Sequence, residues 1–208
     1  MTQENMNLEN LNLQDPVVKK VLARANCLLS NESFTALQNE FSNEEIVILA
    51  QKILELHNQK ETFDKNLIAR EVKFLRTFVP KNSQIFALIN PWFKKINQIL
   101  AKMNDTRPNY GWVILRNKDQ SADFNQNFRE MGDKHWDLAL FCIINNLSLE
   151  QEELFLNNYD EYYLSYFENH KLLVSYYLVL LFNFCESIYG KGLNTKLFQK
   201  VKSKLQLK

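Results

Sequence analysis

The sequence is poor in the residues that interrupt regular structure, with only four glycines and four prolines among 208 residues. Such a chain offers few places for tight turns, which favours a mostly helical protein. The three cysteines, Cys27, Cys142 and Cys185, are odd in number and have no paired spacing. This argues against a disulfide framework or a zinc site and favours a reducing compartment. We therefore predict a cytoplasmic protein.

An excess of charge of one sign is also lacking, because 25 Lys and Arg residues nearly balance 24 Asp and Glu residues. Nucleic-acid-binding proteins usually show a strong basic excess, so we predict no nucleic-acid partner. The most apolar run, residues 172–182, is shorter than the roughly 20 residues that span a bilayer. It predicts a buried core helix and no membrane partner.

What the chain does contain is 46% hydrophobic residues, enough to bury one sizeable core. The polar residues 1–14 predict a disordered N-terminus without the apolar segment of a signal peptide. Residues 15–208 then form one predicted domain. Within it, residues 27–41 fit either a hairpin or a turn followed by a short helix.

Local signals predict where several helices begin. Pro16 follows Asp15 at a first helical position, and capping-box spacings join Ser42 to Glu45 and Ser148 to Gln151. After the second box, the pattern predicts one helix over residues 148–170 and another over residues 171–190. Residues 111–126, two short segments around a polar turn, predict a β-hairpin.

Residues 130–159 read EMGDKHWDLALFCIINNLSLEQEELFLNNY. This segment resembles bacterial choline and ethanolamine kinases, which belong to the aminoglycoside-phosphotransferase-like group. In that family a "GDP..DLA" stretch opens one helix and an "LS.EQEE.F...Y" stretch opens the next. The matching residues are Gly132, Asp133, Trp136, Asp137, Leu138, Ala139, Leu147, Ser148, Glu150, Gln151, Glu152, Glu153, Phe155 and Tyr159.

The order of parts agrees with this resemblance, since the family's C-lobe begins with a helix that ends in a Leu-His pair, here Leu56-His57. The resemblance covers most of residues 45–190. It implies a mainly α (α+β) fold: a helical protein-kinase-like C-lobe with one small β-hairpin at the catalytic loop.

The family's catalytic loop has the pattern His-Asn-Asp, two residues, Pro, one residue, Asn, and it falls on residues 103–110. The resemblance implies that Asp105 orients or deprotonates the acceptor hydroxyl. Tyr110 replaces the metal-binding asparagine, but Asn109 stands one residue earlier as a candidate cofactor-binding residue.

The family's magnesium segment falls on residues 125–128, where Asn125 replaces the magnesium aspartate. A neutral amide is a poor substitute, because Mg²⁺ favours carboxylate and phosphate oxygen. Asp123, two residues earlier, shares its face on a strand and is the second metal candidate. The candidate substrate-binding residues are Gln126, Asn127 and Tyr163.

Tyr163 belongs to an aromatic-rich stretch, residues 158–170, that suits either a pocket for a quaternary ammonium group or ordinary helix packing. The three histidines, His57, His135 and His170, have no metal-ligand spacing. Each is expected to be structural or exposed.

The nucleotide-binding half is poorly encoded. Residues 28–40 resemble the family's first N-lobe hairpin, but Cys27 and Leu28 stand where glycines would let the backbone approach phosphates. Only about five residues separate this turn from the helix predicted near Asn43. The N-lobe, with its phosphate-binding lysine, is therefore predicted to be largely missing, and residues 27–41 are at most its remnant.

Three functions stay open. The first is a phosphotransferase that uses ATP and Mg²⁺ to phosphorylate a small amino alcohol or related compound. The second is a truncated, inactive relative, a pseudokinase that acts as a binding or regulatory subunit, with a protein partner to supply the missing lobe. The third is an unrelated helical interaction protein. The missing lobe and Asn125 favour the second over the first.

Overall fold

The computed structural model describes residues 11–30, 41–112, 128–190 and 196–206. These residues form α-helices, one 3₁₀ helix (Asn90–Trp92) and a two-stranded antiparallel sheet. The helices are α1 (Pro16–Ser30), α2 (Asn43–His57), α3 (Ile68–Arg76), α4 (Gln84–Ile89), α5 (Phe93–Leu100), α6 (Lys134–Ile144), α7 (Leu149–Tyr159), α8 (Leu164–Tyr189) and α9 (Lys196–Leu205). The strands are β1 (Arg107–Asn109) and β2 (Glu130–Gly132). The predicted mainly α (α+β) fold is confirmed.

The described residues group into two compact units that alternate along the chain. Unit 1 draws on the ranges Met1–Thr35, Leu67–Ile96 and Ser175–Lys208. Unit 2 draws on Ala36–Asn66 and Asn97–Val174. A single domain over residues 15–208 stays a prediction.

Unit 1 contains a buried charged network. Arg24 Nη1 lies 2.9 Å from Glu71 Oε2, and the Tyr177 hydroxyl donates to the same oxygen at 2.6 Å. All three residues are fully buried. A buried charge is tolerated only when it is paired and hydrogen-bonded, so this network holds α1, α3 and the second half of α8 in one arrangement.

Unit 2 is built on helices whose starts are encoded locally. The two capping boxes are present. The Ser42 side chain accepts the N–H of Glu45, and the Ser148 side chain accepts the N–H of Gln151. In each box, the Glu or Gln side chain accepts the backbone N–H of the serine. Both predicted helix starts are confirmed, as is the start of α1 in unit 1 at Pro16. Helix α2 packs against α7, and α6 lies against β1.

The predicted boundary between a helix over residues 148–170 and a helix over residues 171–190 is wrong. Asp160 adopts a left-handed conformation (φ 63°) and its N–H donates to the Leu156 carbonyl, so the preceding helix ends at Tyr159. A left-handed residue closes a helix because it turns the backbone out of the helical path. The next helix starts at Leu164 and continues past residue 170 to Tyr189.

Helix α8 is the described helix that is long and apolar enough to cross a membrane. Within its most apolar window of 18 residues, 72% are buried inside the protein. Burial of that extent is typical of the core helix of a folded domain.

The sheet pairs the segments that flank the predicted hairpin. Its register joins Arg107 to Gly132 and Asn109 to Glu130. Residues 113–127, which contain most of the predicted hairpin, lie outside the described residues. So do residues 31–40, whereas residues 27–30 form the last turn of α1.

Candidate active site

The start of helix α6 holds the loop that precedes β1. The N-cap residue Asp133 accepts the backbone N–H of Asn104 through Oδ2 at 2.9 Å. Its carbonyl oxygen accepts Nδ2 of Asn109 at 2.7 Å. Because these two bonds lie on either side of Asp105 in the chain, Asp133 fixes the loop that carries the predicted catalytic residue.

A second carboxylate of α6 holds the chain just after β1, at the far end of the same segment. Asp137, which is fully buried, accepts the backbone N–H groups of Tyr110 and Gly111 at 2.6 and 2.9 Å. Its Oδ2 also lies 3.2 Å from His57 Nε2, and His57 Nδ1 lies 2.7 Å from the Tyr159 hydroxyl. A carboxylate that receives several N–H donors is held rigidly. Asp137 therefore anchors the loop to the centre of unit 2.

Asp105 lies two residues before β1 and is half-buried. Within the described part of the chain, its Oδ1 is buried without a hydrogen-bond partner. Burial raises the pKa of this carboxyl group, and the charge of Asp133 adds to the rise. A hydrogen bond from Asn66 and the charge of Lys65 oppose the rise but do not cancel it, and His170 acts in the same direction when it is protonated. A carboxylate with a raised pKa and a free oxygen is suited to accept a proton.

Two histidines join Asp133 in a buried cluster. His135 Nδ1 lies 2.8 Å from Asp133 Oδ1, and His135 Nε2 accepts the backbone N–H of Tyr163 at 3.1 Å. The proton of neutral His135 is therefore on Nδ1. His170 Nδ1 lies 2.8 Å from the Tyr166 carbonyl oxygen, to which it donates, and its Nε2 lies 3.6 Å from Asp133 Oδ2.

Burial acts to raise the pKa of Asp133, but the hydrogen bond from His135, the neighbouring His170 and backbone N–H donors lower it to about 2. Burial lowers the pKa of His170 in spite of the charge of Asp133. Asp133 is therefore ionised and His170 neutral at pH 7.

The possible ligand atoms of Asp133, His135 and His170 lie within 4.8 Å of one another. Imidazole with carboxylate suits a transition metal rather than Mg²⁺. However, both nitrogens of His135 are engaged, one with Asp133 and one with Tyr163. We therefore assign the cluster a role in holding Asp133 rather than in binding a metal.

A cavity of about 440 Å³ opens at the N-terminus of α6. Its lining combines cations with aromatic rings: Lys102, Asn104, Arg107, Asp133, Lys134, His135, Tyr163 and Tyr166. Tyr163 is 69% exposed and Tyr166 is 43% exposed, so both rings remain accessible. A cavity of this size can hold a small organic molecule.

The predicted site residues are placed as follows. Asn109 is buried, and its Oδ1 has no hydrogen-bond partner among the described residues. Tyr110 is also buried, and its ring centroid lies 5.8 Å from the guanidinium of Arg129. Tyr163 lines the cavity. Four predicted residues lie outside the described part of the chain: Asp123, Asn125, Gln126 and Asn127.

Sequence reasoning missed the cationic cavity and the histidine cluster. It treated His135 and His170 separately, because they are 35 positions apart in the sequence. A local signal was present, since Asp133 and His135 are two residues apart at a predicted helix start, where an N-cap side chain meets the first turn. Arg107 and Lys134 carried no recognisable pattern.

Comparison with known proteins identifies relatives over part of the chain. No protein-family model matches it. It is 30% identical over 141 residues to a LicA homolog of Metamycoplasma hominis, covering 65% of this chain and 57% of that protein. It is 27% identical over 141 residues to a LicA homolog of Mycoplasma capricolum subsp. capricolum, covering 65% of this chain and 58% of that protein. The chain thus spans a little over half the length of these curated relatives.

Two solved structures share the fold. The crystal structure of choline kinase LicA from Streptococcus pneumoniae superposes with a TM-score of 0.61 at 14% identity, covering 78% of this chain and 63% of that chain. A structure of LicA in complex with AMP superposes with a TM-score of 0.58 at 14% identity, covering 78% of this chain and 62% of that chain. At this identity the likeness concerns the fold alone.

Proposed function

Since this chain is a partial relative of the choline-kinase-like LicA proteins, we propose that it is a phosphotransferase of that kind, which moves a phosphoryl group from ATP to a hydroxyl group of a small molecule. The observation that carries the proposal is the state of Asp105. Its carboxyl group has a raised pKa and a buried oxygen without a partner in the described structure, and it lies in a loop fixed by two carboxylates of α6.

In the proposed reaction, the acceptor hydroxyl oxygen attacks the terminal phosphorus of ATP. The bond from that phosphorus to the bridging oxygen breaks, ADP leaves, and Asp105 takes the hydroxyl proton. Phosphoryl transfer depends mostly on positioning and charge neutralisation, so a rigid loop matters as much as the base. Asp133 and Asp137 supply that rigidity through their bonds to Asn104, Tyr110 and Gly111.

Asn109 is a candidate donor for the magnesium ion that the family resemblance implies. The buried Oδ1 of Asn109 lacks a hydrogen-bond partner there, and an amide oxygen is a ligand type that Mg²⁺ accepts. We propose that Asn109 holds the ion with Asn125 or Asp123, two candidates from the undescribed segment. When bound, Mg²⁺ neutralises phosphate charge.

We propose a small amino alcohol, such as choline or ethanolamine, as the acceptor class and the cytoplasm as the site of action. The exposed rings of Tyr163 and Tyr166 support the acceptor class, because aromatic faces attract ammonium groups.

The test is an ADP-release assay with ATP, Mg²⁺ and a panel of choline, ethanolamine and aminoglycosides. We expect turnover with at least one acceptor, and a loss of about 100-fold or more in Asp105→Asn, the range for removal of a general base. Asp105→Ala should lose turnover equally. Asp64→Asn is the matched control, because Asp64 is exposed. Full turnover in Asp105→Asn, or no turnover and no thermal shift with millimolar MgATP in the wild type, contradicts the proposal.

A second candidate is a non-catalytic relative that binds small molecules or regulates a partner supplying a nucleotide-binding lobe. Tyr110 favours it, because this residue stands at the family's metal-binding asparagine and is buried, with its N–H bound to Asp137. Under this alternative, ligands shift the thermal midpoint without turnover. The double variant Tyr110→Asn with Asn125→Asp should then gain magnesium affinity, whereas unchanged affinity would show that the family register does not apply.

A further inference from the structure

The cavity at the start of α6 carries an excess of positive charge. Its charged lining consists of Lys102, Arg107 and Lys134 against the single carboxylate of Asp133. That carboxylate is ionised, because its pKa is lowered to about 2. Two formal positive charges therefore remain, which an anionic group on a ligand would neutralise.

Arg107 is held in place by hydrogen-bonding partners that do not neutralise its charge. Arg107 Nη1 donates to the His57 carbonyl oxygen at 3.3 Å and to Asn58 Oδ1 at 2.8 Å, and both acceptors are neutral. Burial lowers the pKa of Lys134, and the charge of Arg107 lowers it further. Glu161 and Asp133 offset this only in part. The two cations thus repel one another, and an anion between them would relieve the repulsion.

A further feature concerns the organic part of a ligand. The rings of Tyr163 and Tyr166 form an accessible wall, which gives the organic part of a ligand a surface to contact.

We propose that this cavity binds a small phosphate monoester, with the phosphate among Lys102, Arg107 and Lys134 and the organic part against Tyr163 and Tyr166. A phosphate monoester carries about −1.5 to −2 charge at pH 7, which matches the excess of the lining. A singly charged carboxylate neutralises half of that excess. The inference rests on the cavity and holds whether or not the chain transfers phosphate.

The test is calorimetric titration of the full chain with glycerol 3-phosphate, inorganic phosphate, acetate and choline at one ionic strength. We expect glycerol 3-phosphate to bind most tightly, inorganic phosphate more weakly because it lacks an organic part, and acetate more weakly still. Tighter binding of choline than of glycerol 3-phosphate, or no binding of either phosphate compound at millimolar concentration, overturns the proposal.

Charge-removing variants test the location of the site. Lys134→Met and Lys102→Met should each weaken binding of glycerol 3-phosphate about tenfold, the loss expected for one charge-assisted hydrogen bond. Lys102 is exposed, so its variant is informative even if Lys134→Met perturbs folding. Lys60→Met removes an exposed charge from the same unit and should leave binding unchanged. Equal affinity in the wild type and both cavity variants overturns the assignment.

Asp105→Asn separates this inference from the proposed function. It should keep the affinity for glycerol 3-phosphate while turnover is lost. If the wild type shows no turnover but binds glycerol 3-phosphate in a manner dependent on Lys102 and Lys134, the phosphotransferase proposal fails and the binding site stands.

Discussion

Asp105 and Asp133 belong to one site, yet their environments shift their pKa values in opposite directions. Asp105 is half-buried with one unpartnered oxygen in the described structure, and its pKa is raised. Asp133 is buried but receives hydrogen bonds from His135 and from backbone N–H groups, and its pKa falls to about 2. Two carboxyl groups whose pKa values are shifted in opposite directions take different roles. Asp105 is suited to exchange a proton, and Asp133 to stay ionised and position the loop.

Asp105→Asn should raise the stability of the protein at neutral pH. A carboxyl group whose pKa is raised on folding stabilises the folded state below its unfolded pKa, and that contribution is lost as the pH rises through the folded value. The asparagine avoids the cost of burying a charge and keeps an oxygen that can accept a hydrogen bond from Asn66. We expect a higher urea midpoint at pH 7 than in the wild type, with the difference shrinking toward pH 4.

The control for that measurement is Asp64→Asn, which changes an exposed carboxylate of the same unit and should leave the midpoint in place. A lower midpoint for Asp105→Asn at pH 7 would show that the carboxylate stabilises the fold. Asp105 would then have a structural role, and its selection as a base would lose its physical support.

Asp133→Asn should have the opposite pH signature. The pKa of Asp133 falls from 3.8 to about 2 on folding, so its contribution is present above about pH 4 and is lost as the pH falls through 2. The shift corresponds to about 2 kcal/mol at neutral pH. In urea unfolding from pH 7 to pH 2, the wild type should lose this amount and the variant should start lower and change less. Parallel curves for the two proteins would contradict this role.

At the scale of elements, helix α6 organises the site through residues four positions apart. Asp133 at its N-cap and Asp137 in its first turn lie near one another on the helix, as residues four apart do. Asp133 holds the loop before β1, and Asp137 holds the residues just after β1. The sequence identified these residues only as matches to a family pattern. Their physical task, which is to accept backbone N–H groups of a distant loop, required the fold.

Gly111→Ala should destabilise the protein strongly. Gly111 has φ +67°, and a Cβ there would lie 2.6 Å from the Phe128 carbonyl oxygen and 2.8 Å from Glu130 Oε1. The left-handed backbone costs about 1 kcal/mol for alanine, and displacement of a backbone oxygen adds to it, so we expect a loss of about 2–4 kcal/mol by urea unfolding. Because Gly111 bonds to Asp137, turnover should fall as well.

Gly190→Ala provides the matched comparison. Gly190 has φ +61°, but a Cβ there meets nothing within 4 Å. The loss of stability in this variant should therefore come from the left-handed backbone alone, about 1 kcal/mol. Equal losses in the two variants would show that the contact with Phe128 does not constrain the loop.

For the whole molecule, features encoded by neighbouring residues could be predicted and features assembled from distant ones could not. The helix starts at Pro16, Ser42 and Ser148 follow from side chains within three residues. The end of α7 was missed, because an Asp in left-handed conformation has no sequence signal as strong as glycine. The cationic cavity was missed for another reason: its lining comes from the loop before β1, the start of α6 and the start of α8.

The last prediction concerns helix α8, whose 26 residues reach a mean hydropathy of 1.5 in an 18-residue window. Because 72% of that window is buried inside the protein, most of its side chains cannot contact lipid unless the fold opens. We expect the folded chain to remain at the bottom of a density gradient when phospholipid vesicles float, while a leucine-rich transmembrane peptide in the same vesicles rises with them. Flotation of the folded chain at neutral pH would assign α8 to the bilayer and would contradict its role as a buried core helix.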